Sequence, residues 1–356
     1  MSRFLRAEYA ALAPYTPGEQ PRDLRCIKLN TNESPFPPSP RIFGLFSRSE
    51  TEHLRLYPDP QAAALTAALA ERYGVSPEQV IVGNGSDELL AFFFMAFCSE
   101  STPAVCPQIS YGFYPVFAQF ARVPYRAVPM REGLSINVRD FAGCGGNVVL
   151  ANPNAPTGRA LPVSDIEFLL RTNPDALVLV DEAYVDFGAE SCLPLLERYD
   201  NLLVVRTFSK SRNLAGARIG FAFGSPEVIS DLQRIRFSFN PYNISRFSLL
   251  AGQATVEDEA YFYRCCGTII ENRAYTESAL RALGFEVLPS LANFVFARFP
   301  TVSGAALYAA LKKRGVLVRH FDDPQITDYL RITIGSLSDM QALTEQLREI
   351  LNEQEG

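Results

Sequence analysis

Lys210 lies in Thr207-Phe208-Ser209-Lys210-Ser211-Arg212, just after the apolar run Leu202-Leu203-Val204-Val205. An ammonium at a buried strand end is costly. Desolvation, with Arg206, Arg212 and Arg218 close in sequence, is expected to push this amine's pKa down. A lysine so treated is a nucleophile towards aldehydes, the condition for a Schiff base. The plainer alternative is a lysine leaving a strand for solvent. Asp181-Glu182-Ala183-Tyr184 follows a second apolar run, Leu177-Val178-Leu179-Val180, and puts a carboxylate where it needs a cation or donors. A helix cap is the ordinary reading of the same residues. Gly83-Asn84-Gly85-Ser86-Asp87 reads as a turn into a helix whose free N–H groups and dipole suit a phosphate. Residues 152–158 form another tight turn, and Ser209 and Arg218 add a hydroxyl and a guanidinium.

Each signal is weak alone, but together they fit one ligand, a phosphorylated heteroaromatic base carrying an aldehyde. The lysine would take the aldehyde, the aspartate a protonated ring nitrogen, and the donors the phosphate. That is the arrangement used for pyridoxal 5'-phosphate. Tyr184 would sit near the ring oxygen, and Tyr111 or Tyr114 would supply an aromatic face.

The elements that must position these residues are legible from the pattern. Helical spacing covers 61–73 with a stop at Gly74, a strand at 80–82 enters the glycine turn, and 87–98 reads as a buried helix begun by Ser86 or Asp87. Further strands are predicted at 148–151, 176–180, 202–205 and 219–223, with a helix at 163–171. Such alternation implies an α/β fold with a mostly parallel central sheet. One or two long helices should run from about 244 to 283, followed by strands at 294–297, 316–319 and 330–334 and helices at 304–314 and from 338. The expected organisation is an N-terminal arm over 1–40 contributing to the small domain, a large cofactor-binding domain over 41–250, and a linking helix with a small α+β domain over 251–356.

Composition narrows the function classes. The 356 residues are 47% hydrophobic and 20% charged, enough for a large core, and the net charge of −6 argues against a nucleic-acid protein. A DNA-binding regulator would need a basic domain, and residues 1–40 show none. His53 and His320 are the only histidines, so no metal site is expected. Seven cysteines without metal-type spacing fit reduced thiols. The opening Met1-Ser2-Arg3-Phe4-Leu5-Arg6 lacks a secretory apolar region, and the apolar run 89–98 is too short to span a bilayer. A cytoplasmic protein without membrane partners is expected.

The motifs also carry a family resemblance. Pro14-Tyr15-Thr16-Pro17-Gly18, Lys28-Leu29-Asn30-Thr31-Asn32-Glu33-Ser34-Pro35, Tyr57-Pro58-Asp59-Pro60, the segments above, Leu214-Ala215-Gly216 and Leu330-Arg331-Ile332-Thr333-Ile334-Gly335 stand in the family's order. The chain resembles the fold-type I pyridoxal phosphate aminotransferases of the class II subgroup and, among them, the histidinol-phosphate aminotransferases. The resemblance implies transamination of L-histidinol phosphate with 2-oxoglutarate in histidine biosynthesis. Threonine-phosphate decarboxylase and aromatic amino-acid aminotransferase are the alternatives within the fold.

By the same resemblance Lys210 carries the cofactor and moves the substrate proton, Asp181 faces the ring nitrogen, Tyr184 the ring oxygen, and Tyr111 stacks on the ring. Ser86, Asp87, Thr207, Ser209 and Arg218 hold the cofactor, joined by Tyr57 from a second subunit, so a homodimer is implied. Tyr15, Asn32, Arg319 and Arg331 would bind substrate, with Arg331 taking the carboxylate of glutamate or 2-oxoglutarate. One departure stands out. The family's asparagine before Pro-Thr-Gly is Ala155 here, so either Asn154 reaches round to the ring oxygen or Tyr184 serves alone. The Ser211-Arg212-Asn213 run is also unusual and is expected to add charge near the phosphate.

Overall fold

The computed structural model describes residues 2–10, 12–20 and 26–355. The expected arm over 1–40 therefore includes positions 1, 11 and 21–25 that lie outside the described residues, as does position 356. The first short strand, β1 (Ile27–Lys28), belongs to the end of that arm. A seven-stranded sheet follows from β2 (Val80–Asn84), β3 (Ala104–Pro107), β4 (Tyr125–Val128), β5 (Asn147–Ala151), β6 (Val178–Asp181), β7 (Leu202–Thr207) and β8 (Ile219–Gly224). Its order is β2-β8-β7-β6-β5-β3-β4. Strands β5 to β8 are buried along their whole length, which is why they read as continuous apolar runs rather than alternating ones.

All neighbours are parallel except at β8, which runs antiparallel to both β2 and β7. This one reversal matters for the site. The carboxyl ends of β2, β5, β6 and β7 emerge on the same edge, and β8 begins there, with Ile219 opposite Asn84 and Gly220 opposite Thr207. Residues that follow four strands and the residue that precedes a fifth are gathered along one rim, where ligands of open α/β sheets bind.

A second sheet is built from β9 (Glu286–Val287), β10 (Phe294–Arg298), β12 (Arg319–His320) and β13 (Tyr329–Thr333), while β11 (Val316–Leu317) pairs parallel with β1. The single strand expected at 316–319 is thus two. The chain changes partner at the buried Val318, pairing first with β1 and then with β13. The long helical region is two helices, Arg246–Val256 and Glu259–Ala282, the second capped by the Asp258 side chain. Strands β3 and β4 and the helices Tyr114–Ala121 and Pro226–Phe239 were not anticipated. The four residues of β3 end on Pro107, and β4 is an edge strand with two exposed central residues, so neither offers a long apolar run. No helix among the described residues is long and apolar enough to cross a membrane.

A buried ion pair ties the rim together. Arg206 on β7 donates from Nε and Nη2 to Glu182 Oε2 at 3.0 and 2.7 Å, and Glu182 Oε1 accepts the Cys192 amide at 2.7 Å. Both side chains are almost wholly buried. Removing one member takes the main partner from the other, Asp186 at 3.6 Å being the carboxylate that remains near Arg206, and breaking a buried pair typically costs about 3–5 kcal/mol. Glu182→Ala should lower the urea unfolding free energy by about that amount, and the paired change Glu182→Leu with Arg206→Met should recover most of it.

Candidate active site

Lys210 is held by the strand end behind it. Phe208, fully buried, donates its amide to Ile219 O at 3.0 Å and accepts Leu214 N–H, so the chain after β7 folds back on the start of β8. That turn carries Lys210 into a cavity of about 320 Å³, where Nζ donates to the Thr31 carbonyl at 3.1 Å. Burial, then the cation of Arg331, push the amine down to about 8, with Arg218 adding and Glu33 and Asp87 opposing. Two of the three cations expected to do this are elsewhere. Arg206 is paired with Glu182, and Arg212 donates to Thr255 O while its guanidinium lies 3.8 Å from the Phe262 ring centre. For the same reason the Ser211-Arg212-Asn213 run brings no charge to the anion end, since Arg212 is buried against the helical segment. The cation that matters, Arg331, is distant in sequence and invisible to a local reading.

Asp181 ends β6 at the cavity floor and is 5% exposed. Among the described residues its side-chain oxygens accept only the Tyr114 hydroxyl at 3.0 Å and the Ala183 amide at 3.1 Å. Without a cationic partner, burial lifts this carboxyl to about 7, against the pull of those two donors. Tyr114 is therefore Asp181's buried partner, not an aromatic face. The face is left to Tyr111, which lines the cavity and donates its hydroxyl to Asp87 at 2.9 Å.

The opposite end is built for an anion. The helix Ser86–Phe97 starts at the cavity, and its cap residue Gly85 has no side chain to satisfy the first N–H groups. Gly85 has φ 77°, and any side chain there would collide with the Arg218 guanidinium; one at Gly220 would collide with the Gly85-Ser86 backbone. The two glycines let strand, helix start and arginine converge. Arg218 Nη2 donates to Asp87 at 2.8 Å and Nη1 to Ser209 Oγ at 3.4 Å, while Thr207 Oγ1 donates to Ser209 Oγ at 3.0 Å.

These features pass a direct test of fit for the cofactor expected from the sequence. A buried carboxyl without a cation matches a protonated ring nitrogen, a partly neutral amine matches an aldehyde, and an uncapped helix start beside a guanidinium matches a phosphate.

The structure gathers Lys210, Asp181, Tyr184, Ser86, Asp87, Tyr111, Thr207, Ser209 and Arg218 around the cavity. It does not bring Asn154 there. That side chain is 1% exposed, donates to Ile109 O and Thr157 Oγ1, and accepts from Ser110, while Ala155 faces the cavity. Its amide is held by the Ile109-Ser110 segment and by Thr157, turned away from the cavity. Tyr57 is also outside, 79% exposed and stacked on Tyr242 with centroids 4.4 Å apart.

Tyr15, Asn32, Arg319 and Arg331 are not among the residues that line the cavity, and Arg319 lines a separate one with Thr16 and His320. Arg331 donates to Asn30 O at 2.9 Å, its Nε has no partner, and it sits over the rings of Phe294 and Phe321. Arg319 donates to Thr16 O at 3.1 Å, and Tyr15 stacks on Phe113 at 4.1 Å. Asn32 is 1% exposed, with its side chain bonded to Tyr184 and Thr333. Thr31 and Glu33 line the cavity and were missed. Glu33 pairs with Lys28, and the Lys28…Glu33 spacing across a tight turn was the available signal.

Comparison with known proteins gives the family. Residues 25–347 match the family described as aminotransferase class I and II. The chain is 50% identical over 354 residues to histidinol-phosphate aminotransferase 2 of Dechloromonas aromatica, covering 98% of this chain and 99% of that protein. It is 50% identical over 350 residues to the histidinol-phosphate aminotransferase of Chromohalobacter salexigens, with 98% and 99% covered. The crystal structure of histidinol-phosphate aminotransferase from Sinorhizobium meliloti in complex with pyridoxal-5'-phosphate superposes with a TM-score of 0.82 at 26% identity, over 92% of this chain and 91% of that one.

The state of Asp181 can be tested without ligand. Its carboxyl sits at about 7 in the folded chain against an ordinary 3.8, so between those values the folded state holds more proton than the unfolded one. Stability must then fall as pH rises through that window. Asp181→Asn removes the penalty: the cofactor-free variant should match the parent below about pH 4 and exceed it by roughly 2–4 kcal/mol near pH 8 in denaturant titrations.

Proposed function

The chain belongs to the class I and II aminotransferases, and from that premise we propose that it is a cytoplasmic homodimer that carries pyridoxal 5'-phosphate on Lys210 and transaminates L-histidinol phosphate with 2-oxoglutarate in histidine biosynthesis. The observation that carries the reading is the lowered Lys210 amine sharing one cavity with an Asp181 carboxyl that lacks a cation. The relatives at half identity over the full length support the choice of substrate, since both are named for it.

When bound, the cofactor supplies an aldehyde for amino groups and a protonated ring that withdraws electrons from the substrate's Cα. Around it each residue has a separate task. The Asp181 carboxylate keeps the ring nitrogen protonated, its own charge then matched. Tyr184 would face the ring oxygen, and Tyr111 would lie against the ring. The N–H groups at Ser86 and Asp87, with Ser209, Arg218 and Thr207, hold the phosphate, and the exposed Tyr57 reaches the corresponding site of a second copy. Lys210 Nζ, near neutrality when free, takes the proton from Cα. The reading places the cofactor domain at 41–250, the linking helix and small domain at 251–356, and the arm at 1–40.

Substrate charge is met by Arg331 and Arg319, with Tyr15 beside them. A planar guanidinium accepts a carboxylate or a phosphate in the same fork, so one arginine serves glutamate and the phosphorylated substrate in turn. Arg331 Nε is buried and has no hydrogen-bond partner among the described residues.

Mixing the yellow holoenzyme with histidinol phosphate should bleach the visible band, and 2-oxoglutarate should restore it. Carbon dioxide release from phosphothreonine without that cycle would contradict the reading. Arg331→Gln should reduce kcat/KM for glutamate and for histidinol phosphate together, by roughly 10- to 100-fold each, as expected for a lost charge-assisted hydrogen bond. Loss with only one substrate would separate the two binding roles.

A further inference from the structure

We propose that Asn32 and Thr333 form a positioning relay that turns the Tyr184 hydroxyl proton into the cavity, and that Asn32 is not a substrate ligand. The proposal rests on the reading above, in which Tyr184 faces the cofactor's ring oxygen.

The hydrogen bonds run in one direction along the relay. Asn32 N–H donates to Thr333 Oγ1 at 3.0 Å. The Thr333 hydroxyl donates onward to Asn32 Oδ1, also at 3.0 Å. The Asn32 amide is thereby pinned with Nδ2 towards Tyr184, donating to its hydroxyl oxygen at 2.9 Å. This is the one hydrogen bond of the Tyr184 hydroxyl among the described residues, so the phenol's own proton has no protein acceptor and is left for the cavity that Tyr184 lines.

The relay is rigid. Asn32 and Thr333 are 1% and 2% exposed, and Thr333 closes β13 opposite Phe294 of β10. Leu29 O accepts the Thr333 amide, and Asn293 Nδ2 donates to Asn32 O at 3.0 Å. Asn32 itself has φ 56°, a left-handed conformation that asparagine tolerates better than most residues and that aims its side chain back at β13. Among the described residues no Asn or Gln side chain lines the cavity, where Ala155 stands instead and the Asn154 side chain is spent elsewhere. Tyr184 alone must act on the ring oxygen, and the direction of its proton decides whether it can. Burial raises the Tyr184 phenol overall, and the Arg331 cation and then the Asn32 donor pull against it.

Thr333→Val keeps the shape and removes the hydroxyl, freeing the Asn32 amide to turn its oxygen to Tyr184 and draw the phenol proton away from the cavity. In the holoenzyme, the pH midpoint of the visible band should then move upward, by about tenfold in proton affinity, and kcat should fall by about tenfold with KM for histidinol phosphate unchanged. Thr333→Ser should restore both. In the cofactor-free protein, tyrosine ionisation measured by ultraviolet difference against Tyr184→Phe should shift upward in Thr333→Val and not in Thr333→Ser. Wild-type titrations for Thr333→Val, equal shifts in Thr333→Val and Thr333→Ser, or a raised KM at constant kcat would each overturn the relay. If Tyr184→Phe leaves the holoenzyme midpoint in place, the parent reading of Tyr184 fails and the relay falls with it. If Tyr184→Phe moves the midpoint and Thr333→Val does not, the relay alone fails.

Discussion

The structure turns on two buried titratable groups that face one cavity without neutralising each other. The Asp181 carboxyl is held near neutrality from below and the Lys210 amine from above, both chiefly by desolvation. Had they met, an ion pair would have satisfied both and left neither for chemistry. Among the described residues no ion pair joins them: Lys210 leans on the Thr31 carbonyl, and Asp181 takes a phenol and a backbone amide. Each group retains an unmet requirement, and a single ligand with a cationic nitrogen and an aldehyde meets both. Folding this chain stores the mismatch that cofactor binding relieves.

The rest of the fold can be understood as what it takes to hold that mismatch. A carboxyl can stay buried only where the surrounding strands are dry, and β5 to β7 provide this. The neighbouring Glu182 shows the contrast. One residue beyond Asp181, it takes two donors of Arg206 on Oε2 and anchors the loop at Ser191-Cys192, so adjacent carboxylates have opposite fates. The reversed strand β8 then brings Arg218 to the same rim from the other chain direction, and the glycines at 85 and 220 remove the atoms that would keep it away.

Much of this was legible in the residues. Strand ends announced Lys210 and Asp181, because a charged residue directly after an apolar run must be either exposed or used, and the glycine turn at 83–85 announced a helix start open to an anion. What failed was anything that depended on distant partners. Arg331 rather than Arg206 or Arg212 acts on Lys210, since sequence proximity says nothing about where a guanidinium finds its carboxylate. Asn154 was one of two options for the ring oxygen, but its amide is taken up by Ile109, Ser110 and Thr157. Asn32 read as a substrate residue, and its hydrogen-bond partner Thr333 lies about three hundred positions away, so only the pairing of β13 beside the arm brings the two together. Edge strand β4 and short β3 lacked the apolar length that makes a strand visible.

The most direct test is to locate the covalent attachment. Borohydride reduction of the holoenzyme, digestion and mass spectrometry should place the reduced pyridoxyl group on Lys210 alone, and Lys210→Ala should carry none while still binding the free cofactor. A stable adduct on another lysine, or an undiminished adduct in Lys210→Ala, would contradict the account at its centre.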